Sequence, residues 1–488
     1  MLHIAFDNSY ARELEGLYVP VEGAPAPAPQ MVLLNEGLAR ELGLDPAALQ
    51  SPAGLAMLTG SAMPEGAAPL AMAYAGHQFG GFVPQLGDGR ALLVGEVIDR
   101  AGRRRDIHLK GSGRTPFSRG GDGKAALGPV LREFIVGEAM HHLGIPTTRA
   151  LSAVATGDTV WRETPLPGAV LARVAASHLR VGTFQFFAAR GDSERLRRLA
   201  DYAIARHDPD LAGTEDRYAR FLERVIERTM KLVAHWMAVG FVHGVMNTDN
   251  TAISGETIDY GPCAFLDAYD PMAVFSSIDT FGRYAYGRQP VLAQWNLARL
   301  AETLLPLIAE DPEKALPAAQ AAIEAAPGIF ERARRARFAA KLGIAEPVAE
   351  DEARIDAFLE LLAAARADFT QGFRALAAAA RGADTALWAQ AKGAPGLADW
   401  LADWRARIAG EPGGAEAAAA RIEAVNPVYI ARNHRVEEAL AAAQAGDMAP
   451  TRRLLAALSA PFTPRPDLAD LEGPAPEDFG PYVTFCGT

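Results

Sequence analysis

Four short clusters along the 488-residue chain combine residue types suited to phosphate and metal chemistry. Gly87, Asp88, Gly89 and Arg90 form a glycine turn that runs into an aliphatic stretch. Glycines let backbone N–H groups approach phosphate oxygens with no side chain in the way. Lys110 ends the segment DIHLK, and a helical pattern downstream carries Glu133 and Glu138. His243 and Gly244 precede Asp249 and Asn250, and Asp259, Tyr260 and Gly261 follow. A strand lysine held by a helix glutamate is a fixed cation. Asn and Asp on neighbouring loops offer the hard oxygen ligands that suit Mg²⁺ when it bridges phosphate oxygens. Taken singly, each cluster has a plainer reading. GDGR is a hairpin turn, Lys110 a solvating charge at a strand edge, Asp259-Tyr260-Gly261 an ordinary turn, and His243 a loop brace. Their order along the chain is what points to metal-dependent nucleotide chemistry.

The elements that must position these residues read as follows. Ala91 to Asp99 has the aliphatic content of a strand, Arg100 to Arg105 a turn, and Asp106 to Lys110 a second strand with alternating faces. A glycine-rich loop spans Gly111 to Lys124. Leu127, Val130, Leu131, Phe134, Ile135 and Met140 then recur at helical spacing up to Gly144. A strand pair, LSAVATGDTVWRE and GAVLARVA, leads to a long helix from Asp216 to Val239 that stops at Gly240. The expected organisation is an irregular N-terminal extension over 1–75, with an APAPAP spacer, and a strand-rich unit over 76–190. A helical unit over 191–290 bears the catalytic loop, amphipathic helices fill 291–460, and a Pro-rich tail over 461–488 carries Cys486. This is an α+β class. The ordered clusters resemble the two-lobed protein-kinase-like fold, with its Gly-rich loop, strand Lys, helix Glu, loop Asn and metal-binding Asp.

Two departures from that pattern matter. In kinases the loop reads H-R-D-x-x-x-x-N, and its Asp is the base; the matching position here is Val245. Valine neither accepts a proton nor orients a hydroxyl. The region joining the two lobes is expected to present apolar groups to adenine, yet VLARVAASHLRVGTF carries Arg173 and Arg180. Two arginines make a poor adenine wall and a good polyphosphate receptor. If they face the cleft, the triphosphate points inward and the α-phosphate lies near the acceptor; otherwise they are surface charges.

The composition narrows the class. Hydrophobic residues are 49% of the chain and charged residues 22%, enough for a sizeable core. A net charge of -11 and a pI near 5.5 argue against non-specific binding to nucleic acid or anionic membrane. No apolar run is long enough for a membrane span. Two cysteines, Cys263 and Cys486, support neither a disulfide scaffold nor a four-thiolate zinc site, so a reducing cytoplasm is the expected compartment.

The sequence further resembles the selenoprotein O family of kinase-like protein adenylyltransferases. The resemblance is carried by FDNSYAR, YAGHQFGGFVPQLGDGRALLVGE, DIHLKGSGRTPFSRGGDGKAALGPVLREF, HGVMNTDNTAISGETIDYGPCAFLD and Cys486, and spans nearly the whole chain. It implies transfer of AMP from ATP to Ser, Thr or Tyr hydroxyls of proteins, with the nucleotide inverted. By matching motifs, Gly87, Gly89, Arg90, Lys110, Asp122, Gly123, Arg173 and Arg180 would hold ATP, Glu133 would pair with Lys110, and Asn250 and Asp259 would ligate Mg²⁺, with Mn²⁺ as the other choice. Asp249 would serve as base. Because family members often carry selenocysteine at the position of Cys486, the resemblance also suggests a redox partner acting on Cys263 and Cys486. The other readings are a kinase-like phosphotransferase and a catalytically inactive nucleotide-binding scaffold.

Overall fold

The computed structural model describes residues 2–391 and 394–484. Alternating side chains drive the first part of the chain into strands. Leu92 and Val94 of Ala91–Ile98, with Ile107 and Leu109 of Arg104–Lys110, enter one apolar layer. Asp106, His108 and Lys110 take the opposite face, as the two-residue period requires. Among the described residues, these strands belong to an eight-stranded antiparallel sheet. Its order is Tyr18–Pro20, Leu70–Met72, Ala91–Ile98, Arg104–Lys110, Pro165–Ala175, Arg149–Trp161 and Gln30–Leu34, with Ala125–Ala126 paired to Pro165–Ala175 off that path.

The expectation of an irregular extension over 1–75 is corrected here. Three strands of the sheet come from that segment, and its helices Glu36–Glu41, Pro46–Leu49 and Pro52–Thr59 cover the layer formed by Leu92, Ile107 and Val170. These elements are too short for a periodicity to register. Two of the helices begin with proline, which is preorganised for a first helical turn but reads as a spacer in a sequence.

The other face of the sheet packs helix Leu127–His142, whose Leu131 and Ile135 join Leu93, Ala153 and Leu171 in the larger core. Gly144, at φ 75°, ends this helix as its sequence predicts, with Ile145 N–H donating to the Met140 carbonyl. Helices Val181–Ala188, Ser193–His207 and Arg217–Ala238 follow. A brief antiparallel pair, Phe241–Val242 with Ala264–Phe265, then flanks the turn Thr248–Asn250.

A run of helices from Gln289 to Leu458 follows. Helix Asn433–Gln444 lies against Leu127–His142, where Arg132 pairs with Glu437 at 3.1 Å. The Asn433 amide brackets Phe265, accepting from its N–H at 3.1 Å and donating to its carbonyl at 2.8 Å. The neighbouring Arg432 is 1% exposed and reaches Asp267 at 2.7 Å and Asp368 at 2.6 Å. Removing one partner of a buried ion pair leaves an uncompensated charge, a loss of about 3–5 kcal/mol. Arg432→Met is therefore expected to lower the urea midpoint markedly, read by tryptophan fluorescence, whereas substitutions at Arg381, whose pair with Glu416 lies on the surface, change it little.

Candidate active site

Lys110 ends its strand directly beneath helix Leu127–His142, and its Nζ donates to Glu133 Oε2 at 2.5 Å and to Asp259 Oδ1 at 2.9 Å. Of the two helix glutamates only Glu133 joins Lys110; Glu138 is turned to Arg149, at 2.7 Å. Arg173, on Pro165–Ala175, places one nitrogen 3.1 Å from Glu133 and 2.8 Å from Asp259. Arg180, at the start of helix Val181–Ala188, reaches Asp259 Oδ2 at 2.7 Å and the Asp249 carbonyl, also at 2.7 Å. A single arginine nitrogen thus ties the Asp249 turn to Asp259. Both arginine side chains are 3% exposed and line the cleft, so the surface-charge reading of the pair is overturned.

Burial alone would raise the Asp259 carboxyl, but Lys110, Arg173 and Arg180 hold it well below the usual carboxylate range. Glu133 is likewise lowered, because Lys110 and Arg173 outweigh its burial. Asp259 sits at φ 63°, a left-handed backbone that few side chains adopt and that clusters at functional sites. The same three cations converge on the buried Glu133 and the partly buried Asp259 at the inner end of the cleft. The cleft, of 1250 Å³, is lined by eight basic and six acidic side chains among the described residues, the reverse of the chain's overall balance.

Asp249 occupies a different environment. It is 7% exposed; Oδ2 accepts from the Gln78 amide at 3.1 Å, and Oδ1 has no hydrogen-bond partner among the described residues. Burial pushes its carboxyl up to about 6, against the smaller opposing pulls of the Gln78 amide, the Arg180 charge and its own backbone N–H. The turn around it is held by the hairpin Gly76–Gln78/Gly81–Val83. His77 N–H donates to Thr248 Oγ1 at 2.7 Å, and Phe79 N–H to Asn247 Oδ1 at 3.3 Å. A Cβ on Gly76 would lie 2.4 Å from Asp249 Oδ1, so glycine is what lets the hairpin close on the carboxylate. The sequence signal for this support was the glycine and polar content of YAGHQFGG, which identifies no particular contact.

His243 braces the loop, as its plain reading holds: Nε2 donates to the Ile258 carbonyl at 2.9 Å, and Nδ1 accepts from Val245 N–H at 3.4 Å. Asn250 donates through Nδ2 to the Val245 carbonyl at 3.1 Å, which leaves its Oδ1 free to accept or to ligate. Asn250 Oδ1 and the Asp259 carboxylate, both on the lining of the cleft, are hard oxygen donors. No group of three or more His, Cys, Asp or Glu arranged to hold a metal occurs among the described residues. Mg²⁺ does not need one, since it is usually held by one or two side chains together with substrate phosphates and water. The residues present fit it.

The remaining expected nucleotide contacts line the outer cleft. Gly87 takes φ 74°, and a Cβ there would meet the Phe117 ring at 2.3 Å, so the turn is packed against the Gly111–Lys124 loop. Asp88 is buried at 2% exposure. Arg90 lines the cleft with no ion pair among the described residues, and Gly89 and Gly123 border it. Asp122 also lines it, with its carboxylate held by Arg162 at 2.8 Å and by Lys124 N–H at 3.0 Å. Cys263 is buried and has no disulfide partner among the described residues, and burial pushes its thiol up to about 11. Its neighbour Pro262 accepts from Thr484 Oγ1 at 2.9 Å, and Tyr482 and Thr484 line the cleft mouth. Cys486 lies outside the described residues. A buried thiol with a raised pKa carries little thiolate. Iodoacetamide at pH 8 is thus expected to label Cys263, by peptide mapping, only after the chain is unfolded.

A family model described as protein adenylyltransferase SelO matches residues 1–459. The chain belongs to the SelO family. It is similar to curated proteins named protein nucleotidyltransferase YdiU. In Cereibacter sphaeroides the identity is 61% over 485 residues, covering 99% of both chains. In Methylorubrum populi it is 57% over 493 residues, again 99% of both, and in Mycolicibacterium paratuberculosis 56% over 495 residues, 99% of this chain and 98% of that one. SelO membership thus covers the sheet, the cationic cleft and the Asp249 turn together, and the chain is a nucleotidyltransferase. No helix among the described residues is long and apolar enough to cross a membrane.

Proposed function

We propose that the protein transfers the adenylyl group of ATP to Ser, Thr or Tyr hydroxyls of other proteins and releases pyrophosphate, within a two-lobed kinase-like architecture. The observation that carries this reading is the convergence of Lys110, Arg173 and Arg180 on Asp259 at the inner end of the cleft. Three cations there suit a polyphosphate that enters first, with the purine outward. The bond broken then lies between the α- and β-phosphorus atoms. Gly87, Gly89, Arg90, Asp122 and Gly123 would hold the rest of the nucleotide, and Glu133 would keep Lys110 aimed. The units assigned are the strand-rich region to 190, the helical region 191–290, the helices of 291–460, and the tail.

Asn250 and Asp259 would hold Mg²⁺, with Mn²⁺ as the alternative. When bound, that ion supplies charge neutralisation to the phosphate oxygens. Asp249 takes the proton of the acceptor hydroxyl as its oxygen attacks the α-phosphorus. Its unpartnered Oδ1 and raised pKa suit a base that works near neutrality. Lys110, Arg173 and Arg180 offset the negative charge that gathers on the departing pyrophosphate. The contribution of the chain is positioning and electrostatics. The low cysteine content supports a cytoplasmic setting. A redox partner acting on Cys263 and Cys486 rests on the family resemblance, and buried Cys263 would have to be uncovered before it could react.

ATP labelled at either the α- or the γ-phosphate, incubated with the protein and a mixed protein acceptor, tests the reading. Label from the α position is expected on protein. Transfer from the γ position would instead identify a phosphotransferase, and no transfer from either would identify a scaffold.

A further inference from the structure

Arg173 meets the carboxylates through one end of its guanidinium, and something else holds the other end. His108 is its direct cross-strand partner, so the two side chains share a face of the sheet. Arg173 Nε is 3.2 Å from His108 Nδ1, and an arginine N–H can only donate. His108 Nδ1 is therefore the acceptor, and the ring proton sits on Nε2. That nitrogen is 3.0 Å from Asp88 Oδ2, which also accepts from Met72 N–H at 3.0 Å. His108 is 0% exposed and Asp88 2%. Burial pulls the imidazole below its ordinary pKa against the opposing pull of Asp88, so the ring is neutral at pH 7. The ring is further fixed by stacking on His178, 4.2 Å away and tilted 17°, which Asp106 anchors through the His178 Nδ1 and backbone N–H.

We propose that Asp88 and His108 are positioning residues that keep Arg173 available to the nucleotide. The proposal rests on the reading of the cleft as an ATP site. An arginine between two carboxylates can close a two-nitrogen fork on one of them, using Nε with an Nη or both Nη. His108 occupies Nε and rules out the first of these. Nη1 is shared between Glu133 and Asp259, and Nη2 makes no hydrogen bond among the described residues. Arg173 is thereby held to single-nitrogen contacts and keeps a free N–H edge for phosphate. Without the Nε anchor it would turn onto Asp259 or Glu133 and be lost to the ligand.

Two substitutions separate this role from a packing role. His108→Asn places an acceptor where Nδ1 stands and loses the donor to Asp88, whereas His108→Gln keeps a donor near Nε2 and loses the acceptor for Arg173. Mg-ATP titrations by calorimetry are expected to leave H108N within about threefold of the unsubstituted protein and to weaken H108Q about tenfold, one lost hydrogen bond. Melting temperatures are expected not to follow that order. Equal weakening of both variants, or H108Q binding as well as H108N, would overturn the proposal. In the unsubstituted protein, ¹⁵N-histidine spectra are expected to give His108 as the Nε2-protonated tautomer. An Nδ1-protonated ring would overturn the proposal even if neither variant folds. No ATP binding by the unsubstituted protein would overturn the nucleotide reading itself, a result distinct from any pattern among the variants.

Discussion

Asp259→Ala is expected to reduce adenylyl transfer by at least ~1,000-fold, the scale at which phosphoryl-transfer enzymes lose their main charge-stabilising group. The reason is the concentration of roles on one carboxylate. It accepts from Lys110, Arg173 and Arg180, and with Asn250 it is the side chain suited to the metal. Its removal leaves Lys110 and Arg173 facing Glu133 alone and Arg180 with no ion pair among the described residues. ATP binding measured by calorimetry should then lose its dependence on Mg²⁺. Binding in EDTA should persist or tighten, because the phosphates no longer compete with Asp259 for those cations. Retained Mg²⁺-dependence in the variant would remove Asp259 from the metal site.

Asp249→Asn separates chemistry from binding. The change keeps the shape, and it keeps an oxygen for the Gln78 amide, which now sits at 3.1 Å. Arg180 uses the Asp249 backbone carbonyl, not its side chain, so the ion network is untouched. What disappears is the ability to take a proton. Turnover is expected to fall by about 10²–10⁴, the usual contribution of a positioned base. Affinity for Mg-ATP should remain within about twofold, since binding and chemical steps report different contacts. A variant with full turnover would mean that Asp249 only braces its turn, and a variant that no longer binds ATP would move it among the ligand-holding groups.

The candidate site was legible to different depths. Lys110, Asn250 and Asp259 stand in motifs whose residue types already state their chemistry, and Glu133 is within helical reach of the lysine strand. The resemblance already named Glu133; the residue pattern alone left Glu133 and Glu138 open, because both are buried and only the helix orientation shows which one faces Lys110. Asp106 and His108 alternate with Ile107 and Leu109, a pattern that reads as a solvated strand face. In the fold that face is closed over, at 2% and 0% exposure, and it becomes the anchor of Arg173. The hairpin that cradles Asp249 joins residues far apart in sequence, so no local pattern could announce it.

By itself the sequence determined the residue chemistry, the family and most of the longer strands and helices, since periodicity and glycine stops are local properties of the chain. Tertiary structure alone decided that Arg173 and Arg180 converge on Asp259, that the first 75 residues complete the sheet, and that Asp249 is held among too few partners to lower its pKa. Those outcomes depend on which side of an element is covered and by what. Burial and electrostatic environment are sums over neighbours that the chain brings together only on folding.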